Sequence, residues 1–406
     1  MAYECRKTPE PEEGFVKHPE KYLTGKRILP EPARKVEGIE RLVKNMYAFN
    51  GGRLSAACQL LAREYSQPDV TIGLSLAGAL TPAGLGVSSI IPLMNHGFVD
   101  WIVATGANMY HDMHFAFNLP LYRGSPNVDD RDLRKHGVTR IHDIFLDYEK
   151  VLMETDRRLM RILLRPEFQK EMGTQEFYYL LGKVLNKEEK QNFPNGREVS
   201  VLACAYRNRI PVFTSSPGDS TIGMNIAGLE SLAQAQGFQD RFKLKINPSI
   251  DVNETTAIVL NAKIYEKKQT GVILLGGGSP KNFMLQTEPQ IQEILGLEEA
   301  GQDYDINITD ARADTGGLSG ALPSEAVSWG KIDSSKLEES VVAYGDTTAY
   351  LPMIVSYVLS TTNSRQLKRL YDRREELMDK IMNVNMTQNK QYPELLELMK
   401  ELPVAV

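Results

Sequence analysis

Residues 270–283 read TGVILLGGGSPKNF. An unbroken apolar run ends in three glycines, and Ser, Pro and Lys follow where a helix would open. A short apolar run with no polar face fits a strand buried on both sides. Three glycines behind it would let backbone N–H groups approach a phosphate closely, with a helix N-terminus adding to the field. The run is not GxGxxG, and Gly-rich turns also follow strands for local reasons. No Gly-x4-Gly-Lys-Ser/Thr element occurs, which argues against a P-loop kinase or ATPase.

The same pattern recurs along the chain. DVTIGLSLAGAL (69–80), VDWIVAT (99–105), IPVFTSS (210–216), YDINIT (304–309) and SVVAY (340–344) are short apolar runs followed by Gly, Asp, Ser or Thr. RLSAACQLLARE (53–64) has helical apolar spacing, and helical patterns precede or follow several of the strands. This predicts an α/β fold with a mostly parallel sheet and helices on both faces. The loops after the strand C-termini then gather on one edge, where open sheets of this kind bind ligands. After VDWIVAT a loop is expected, carrying residues 106–112. The polar middle, 124–190, reads as helical insertions, and SRQLKRLYDRREELMDKIM (364–382) reads as a solvated or subunit-facing helix. Residues 1 to about 38, rich in Pro, Glu and Lys, read as an arm that packs late or against a partner. The expected division is 1–50 for the arm and first helix, 51–360 for the main domain and 361–406 for a C-terminal helical segment.

Composition bounds the partners. The chain has 406 residues, 42% of them hydrophobic and 24% charged, with a formal net charge of -5. That balance argues against nucleic acid, and no stretch approaches the ~18 apolar residues of a membrane span. The first 22 residues lack the apolar core of a secretory signal. Three dispersed cysteines, Cys5, Cys58 and Cys204, point to reduced thiols and a cytoplasmic protein, with Cys58 and Cys204 expected to be buried.

Four stretches carry candidate chemistry. ATGANMYHDMH (104–114) holds His111, Asp112 and His114; without further His or Cys ligands, hydrogen-bonding roles fit better than a metal. SSPGDSTIGMN (215–225) and TDARADTGGLSGA (309–321) are loops dense in hydroxyls and acids, a composition that also makes turns. Asp219, Asp310, Asp314, Glu325 and Asp346 all fall at expected strand ends, and a cleft so lined would favour a cation. SEAVSWGK (324–331) brings Glu325, Trp329 and Lys331 together. A desolvated lysine loses its proton more readily and can attack an imine or carbonyl. Trp329 could wall its pocket and Glu325 could hold an ammonium group. A surface lysine after a buried tryptophan is the competing reading of those eight residues.

SEAVSWGKI, the LGGG strand end, IPVF with its downstream Gly-Asp loop, and YGDTT stand in the order and spacing of deoxyhypusine synthase. From about Gly51 to Leu359 the chain resembles that family, most closely its bacterial deoxyhypusine synthase-like group. The resemblance implies a Rossmann-like fold, assembly as a homotetramer with sites shared between subunits, and NAD as cofactor. It implies oxidation of a carbon beside an amine, capture of the imine by Lys331, displacement by a second amine and return of the hydride. In deoxyhypusine synthase the donor is spermidine and the acceptor a lysine of translation initiation factor 5A.

Carried over by position, Lys331 is the nucleophile, and Glu325 and Trp329 hold the amine. The cofactor-binding set is Thr105, Gly106, Ala107, Asp219, Gly276, Gly277, Asp310, Ser319 and Asp346. His111 and Asp314 join the substrate-binding set. Several positions depart from the family. Tyr110 and His111 replace a Glu-Glu pair, and Gly78 and Ala79 replace a Ser-Asn pair. Phe283, preceded by Asn282, falls where a histidine base is expected. Met224 and Leu318 replace two aspartates that bind spermidine. Losing two charge-assisted hydrogen bonds of about 2 kcal/mol each would lower amine affinity by roughly two to three orders of magnitude. The expected activity is therefore alkyl-amine transfer between small amines. A true deoxyhypusine synthase and a non-catalytic NAD-binding scaffold are the alternatives.

Overall fold

The computed structural model describes residues 18–389 and 393–403. Its centre is one six-stranded, all-parallel sheet: β1 (Val70–Leu76), β2 (Trp101–Ala104), β3 (Val212–Thr214), β4 (Gln269–Leu275), β5 (Tyr304–Thr309) and β6 (Ser340–Tyr344). Across the sheet the strands run β6-β5-β4-β1-β2-β3. Every residue of β1, β2 and β5 is buried, as the apolar runs required. Side chains alternate between two layers. Ile72, Leu74, Ile273, Ile306 and Ile308 enter one core, and Trp101, Val103, Val272 and Leu274 enter the other.

Helices cover both faces. The ones that matter below are α1 (Phe49–Leu60), α2 (Gly106–Ala116), α3 (Glu154–Leu163), α4 (Thr174–Asn192), α5 (Val201–Asn208), α6 (Thr221–Ala235), α7 (Pro248–Leu260), α8 (Gly278–Leu285), α9 (Pro323–Ser328), α10 (Thr347–Thr361) and α11 (Arg374–Thr387). The expected α/β architecture, Rossmann-like with helices on both faces, is present.

Three expectations are corrected. Residues 106–112 are not a loop: α2 opens directly after β2, with Thr105 Oγ1 accepting the Asn108 backbone N–H at 3.3 Å. The 124–190 stretch is not all helical, because Tyr122–Arg123, Ile144–Asp147 and Val138–Ile141 form a small antiparallel sheet ahead of α3 and α4. The C-terminal helix is not simply solvated. Leu377, Ile381 and Val384 of α11, spaced at helical intervals, are buried in the core beside α7.

Residues 1–17 of the expected arm, Cys5 included, lie outside the described residues. Residues 18–38 pack on their own chain: the Ile28 N–H donates to Leu121 O at 2.7 Å and the Ala33 N–H to Ser88 O at 2.8 Å. Cys58 and Cys204 are buried and unpaired, and burial pushes the Cys58 thiol up to about 12. At the opposite edge of the sheet from the site, Arg365 is buried 3.8 Å from buried Asp100. Its guanidinium also donates to the carbonyls of Gly97 and Val70, tying the segment before α11 to the sheet.

Candidate active site

The strand order reverses between β1 and β4, so their following loops diverge and leave a crevice at the C-terminal edge. Asn108, fully buried in α2, fixes the first loop. Its amide donates to Gly78 O at 3.1 Å, and its Oδ1 accepts from Leu80 N at 2.7 Å and Thr81 N at 3.2 Å. Thr105 Oγ1 donates to the same Gly78 carbonyl at 2.6 Å. The second loop is the glycine run. Gly276 takes φ 81°, and Gly277 passes so close to Ser319 that a Cβ would overlap its Cα. Ser279, in the first turn of α8, donates to Ser215 Oγ at 2.8 Å, joining the loop after β3 to the glycine loop. Gly106 is equally close to Ser220.

Around this crevice the structure gathers most of the expected cofactor residues. Thr105, Gly106 and Ala107 start α2 beside the loop carrying Asp219, and Gly276 and Gly277 meet Ser319. Asp310 is exposed at the end of β5, and Asp346 caps α10 through the Thr348 N–H at 2.7 Å. Gly218 and Gly317 have no positive φ, and a Cβ on either would touch nothing in the chain. Neither folding strain nor packing requires glycine there, whereas space for a bound molecule would.

A second cavity, of about 300 Å³, adjoins α8 and α9. Its walls include Lys281, Asn282, Asp305, Glu325, Trp329 and Lys331. The sequence of α9 explains the last of these. Trp329 closes the helix, Gly330 turns the chain at φ 64°, and the Lys331 N–H bonds back to Ala326 O at 3.0 Å. That turn swings Lys331 inward. Its Nζ donates to Asn282 Oδ1 at 2.9 Å and lies 5.5 Å from the Trp329 ring centre. Burial holds the Lys331 ammonium below the ordinary lysine range, with Glu293 and Glu325 opposing the shift.

Deeper in, Lys281 is 6% exposed and gives its Nζ to Ala321 O at 2.7 Å; burial lowers its pKa too. Asp305 is 2% exposed, and burial raises its carboxyl to about 7, with Lys281 opposing. Trp329 itself is 60% exposed and forms the rim, not an inner wall.

Other expected residues lie elsewhere. His111 does not line this cavity. It stands in α2, and its Nδ1 lies 3.0 Å from His114 Nε2. The far nitrogen of His114 meets Thr155 Oγ1 at 2.9 Å, and Thr155 gives its own proton to Val151 O. Thr155 therefore accepts from His114 Nδ1, which leaves His114 Nε2 to accept from His111. Burial pushes His111 down to about 4, so the pair is neutral near pH 7. Asp314 is exposed and paired with Arg312 at 2.8 Å. Phe283, aligned with the family's histidine base, packs against the core beside α7, and Asn282 is the residue that faces Lys331. Among the described residues no group of three or more His, Cys, Asp or Glu could hold a metal. Sequence reasoning missed Lys281, Asp305 and Asn108.

A profile of the deoxyhypusine synthase family matches residues 40–358. The chain belongs to the deoxyhypusine synthase family. It is 52% identical over 358 residues to a deoxyhypusine synthase-like protein of Nostoc sp., covering 88% of this chain and 90% of the relative. Against the deoxyhypusine synthase-like protein of Nostoc punctiforme the identity is 51%, covering 88% and 89%. A protein described as deoxyhypusine synthase 2 of Methanosarcina mazei is 36% identical, covering 79% and 86%. A crystal structure assigned to the deoxyhypusine synthases, from Entamoeba histolytica, superposes with a TM-score of 0.50 at 15% identity, covering 81% of this chain and 98% of that one, and shows the shared fold. The deoxyhypusine synthase profile spans all six strands of the sheet and both clefts, so the crevice and the Lys331 cavity lie within the part of the chain that defines the family. No helix of the described residues is long and apolar enough to cross a membrane.

Proposed function

We propose that this protein is an NAD-dependent transferase that moves an alkyl-amine group from an amine donor to an amine acceptor through an imine on Lys331. The observation that carries the reading is the Lys331 amine: inward-facing, hydrogen-bonded to Asn282, flanked by Glu325 and Trp329, and held below its ordinary pKa by burial. A neutral ε-amine is a nucleophile, and an ammonium is not.

The crevice between β1 and β4 suits NAD. Gly276–Gly278 and the first turn of α8 would take its phosphates, with the 105–107 turn and the Asp219 loop opposite, and the open sides of Gly218 and Gly317 fit a molecule lying against backbone. When bound there, NAD would accept hydride from the donor's amine-bearing carbon and return it at the end. Lys331 attacks the oxidised donor carbon and expels its original amine. The acceptor amine then displaces Lys331, which leaves neutral and ready for another cycle. Glu325 holds the incoming ammonium group at the mouth, and Asn282 orients the lysine nitrogen.

The rim is apolar and open: Trp329 is 60% and Leu318 49% exposed. A second subunit laid over those two would exclude water from the imine, so the reading includes a homo-oligomer with sites at its interfaces. Unpaired, buried Cys58 and Cys204 suit the reducing cytoplasm.

Borohydride reduction in the presence of NAD and a diamine, followed by peptide mass spectrometry, tests this. A covalent adduct on Lys331, absent in Lys331→Ala, is expected. Product formation surviving that substitution would overturn the reading.

A further inference from the structure

Near the site, buried polar atoms without a hydrogen-bond partner include two groups. Asp305 Oδ1, both amide atoms of Asn307 and Ser75 Oγ form a row on the sheet face opposite Ile306 and Ile308. Glu288 Oε2 and Glu299 Oε1 form the other, behind the turn that carries Lys331. Each such group costs stability, a carboxyl most of all.

That turn is gripped through its main chain. Gln302, just ahead of β5, donates its N–H to Lys331 O at 3.0 Å and accepts the Asp333 N–H at 3.0 Å. It therefore holds the peptide groups on both sides of buried Ile332. Gln292, in the helical stretch Gln290–Ile294, donates its Nε2 to Gly330 O at 2.8 Å. A Cβ on Gly330 would fall 2.1 Å from Gln292 Oε1, and one on Gly301 would fall 2.6 Å from the Ile332 backbone.

Both glutamines lead back to buried acids, and none of these residues lines the Lys331 cavity. Gln302 Nε2 donates to Glu288 Oε1 at 2.6 Å. Gln292 Nε2 lies 3.5 Å from Glu299 Oε2, which also accepts the Gly301 N–H at 2.8 Å. Glu288 and Glu299 hydrogen-bond to each other, and burial, with the Glu299 charge, pushes Glu288 well above the usual carboxylate range. Glu288 is thus a neutral acid that donates to Glu299 and accepts from Gln302. Lys263 serves the other two carboxylates, 3.3 Å from Glu299 Oε1 and 2.8 Å from Asp303 Oδ2. Well-packed aliphatic side chains would fill the same space at less cost.

We propose that Glu288, acting through Gln302, is a positioning residue for Lys331: it fixes the main chain so that Nζ points into the cavity. The inference rests on the amine-transfer reading above and adds what aims its nucleophile. Lys331 follows a six-residue helix, its closing Trp329 and a left-handed glycine, a short support for a long side chain. A displacement of about 1 Å at a reacting atom costs roughly 100-fold in rate.

The test labels the full-length protein with acetic anhydride across pH and reads each lysine by peptide mass spectrometry. The variants are Glu288→Gln, Glu288→Met and Gln302→Met. None changes a charge, and Glu293, Glu325 and Lys281, the charged groups that act on Lys331, stay in place. Glu288→Gln keeps one donor and one acceptor and should match wild type. In the two Met variants the nitrogen should swing toward water, and its labelling limb should move to higher pH, toward that of the exposed lysines. Borohydride trapping with NAD and 1,4-diaminobutane should slow by about 30- to 100-fold in both, with the half-saturating amine concentration within about threefold of wild type. An unmoved limb in Gln302→Met, or a loss in Glu288→Gln as large as in Glu288→Met, would overturn the proposal. An equal loss of NADH affinity would mark general damage and overturn it too. If melting shows that Glu288→Met does not fold, Gln302→Met decides, because it leaves the acid pair intact. A limb that moves as stated with no adduct on wild-type Lys331 would sink the transferase reading and leave Glu288 as the support. A wild-type adduct with an unmoved limb would do the reverse.

Discussion

Lys331 Nζ donates to Asn282 Oδ1 at 2.9 Å, across the gap between α8 and the end of α9. An amide accepts that bond without titrating, so the pair leaves the lysine free to exist as a neutral amine. Asn282→Asp would put a negative charge in the same place and stabilise the ammonium. The Lys331 pKa should rise, and the rising limb of the trapping rate against pH should move to higher pH. At neutral pH trapping should slow by roughly tenfold, measured as adduct formed per unit time.

Glu325 acts in the opposite sense when removed. Its carboxylate and that of Glu293 raise the Lys331 pKa against the lowering by burial. In Glu325→Gln the ammonium loses support, the pKa falls further, and the limb moves to lower pH. KM for a cationic donor should rise by about tenfold because the mouth has lost its anchor. A pH profile with an unmoved limb would show that Glu325 does not sense the lysine.

Glycines at the crevice should divide into two kinds. Gly218→Ala adds a methyl that meets nothing in the chain, so stability should change by less than about 0.5 kcal/mol while NAD affinity drops. Gly277→Ala drives a methyl into the backbone at Ser319 and should destabilise the fold by about 1–3 kcal/mol. Urea melts and fluorescence titration with NADH distinguish the two.

Asp100 and Arg365 are both buried, 3.8 Å apart. Replacing Arg365 with Met strands the carboxylate and two backbone carbonyls, at a cost of about 3–5 kcal/mol in chemical denaturation. The Asp100→Asn, Arg365→Met double variant should recover part of that loss, because the carboxylate that lost its guanidinium is gone.

The strands were legible because apolar runs buried on both faces need no knowledge of their neighbours. The first turn of α2 was not: Gly106, Ala107 and Asn108 form a weak helix start, and its cap at Thr105 reads equally well as a loop residue. The Tyr122–Arg123, Val138–Ile141 and Ile144–Asp147 strands are too short to show a period. Lys331, Glu325 and Trp329 were read from one compact motif whose own helix and glycine build the turn. Asp305 and Lys281 meet only because α8 folds over β5, a tertiary fact. Yet YDINIT does alternate, with Asp305, Asn307 and Thr309 polar and Ile306 and Ile308 apolar. That period of two announces a strand with one polar face inside a sheet that should have none.

The orphaned polar row at Ser75, Asn307 and Asp305 sets durability against purpose. Aliphatic replacements there would complete the interior and harden the molecule to heat. Breeding the protein for thermal endurance alone should therefore converge on these positions, so any such selection has to score turnover alongside survival.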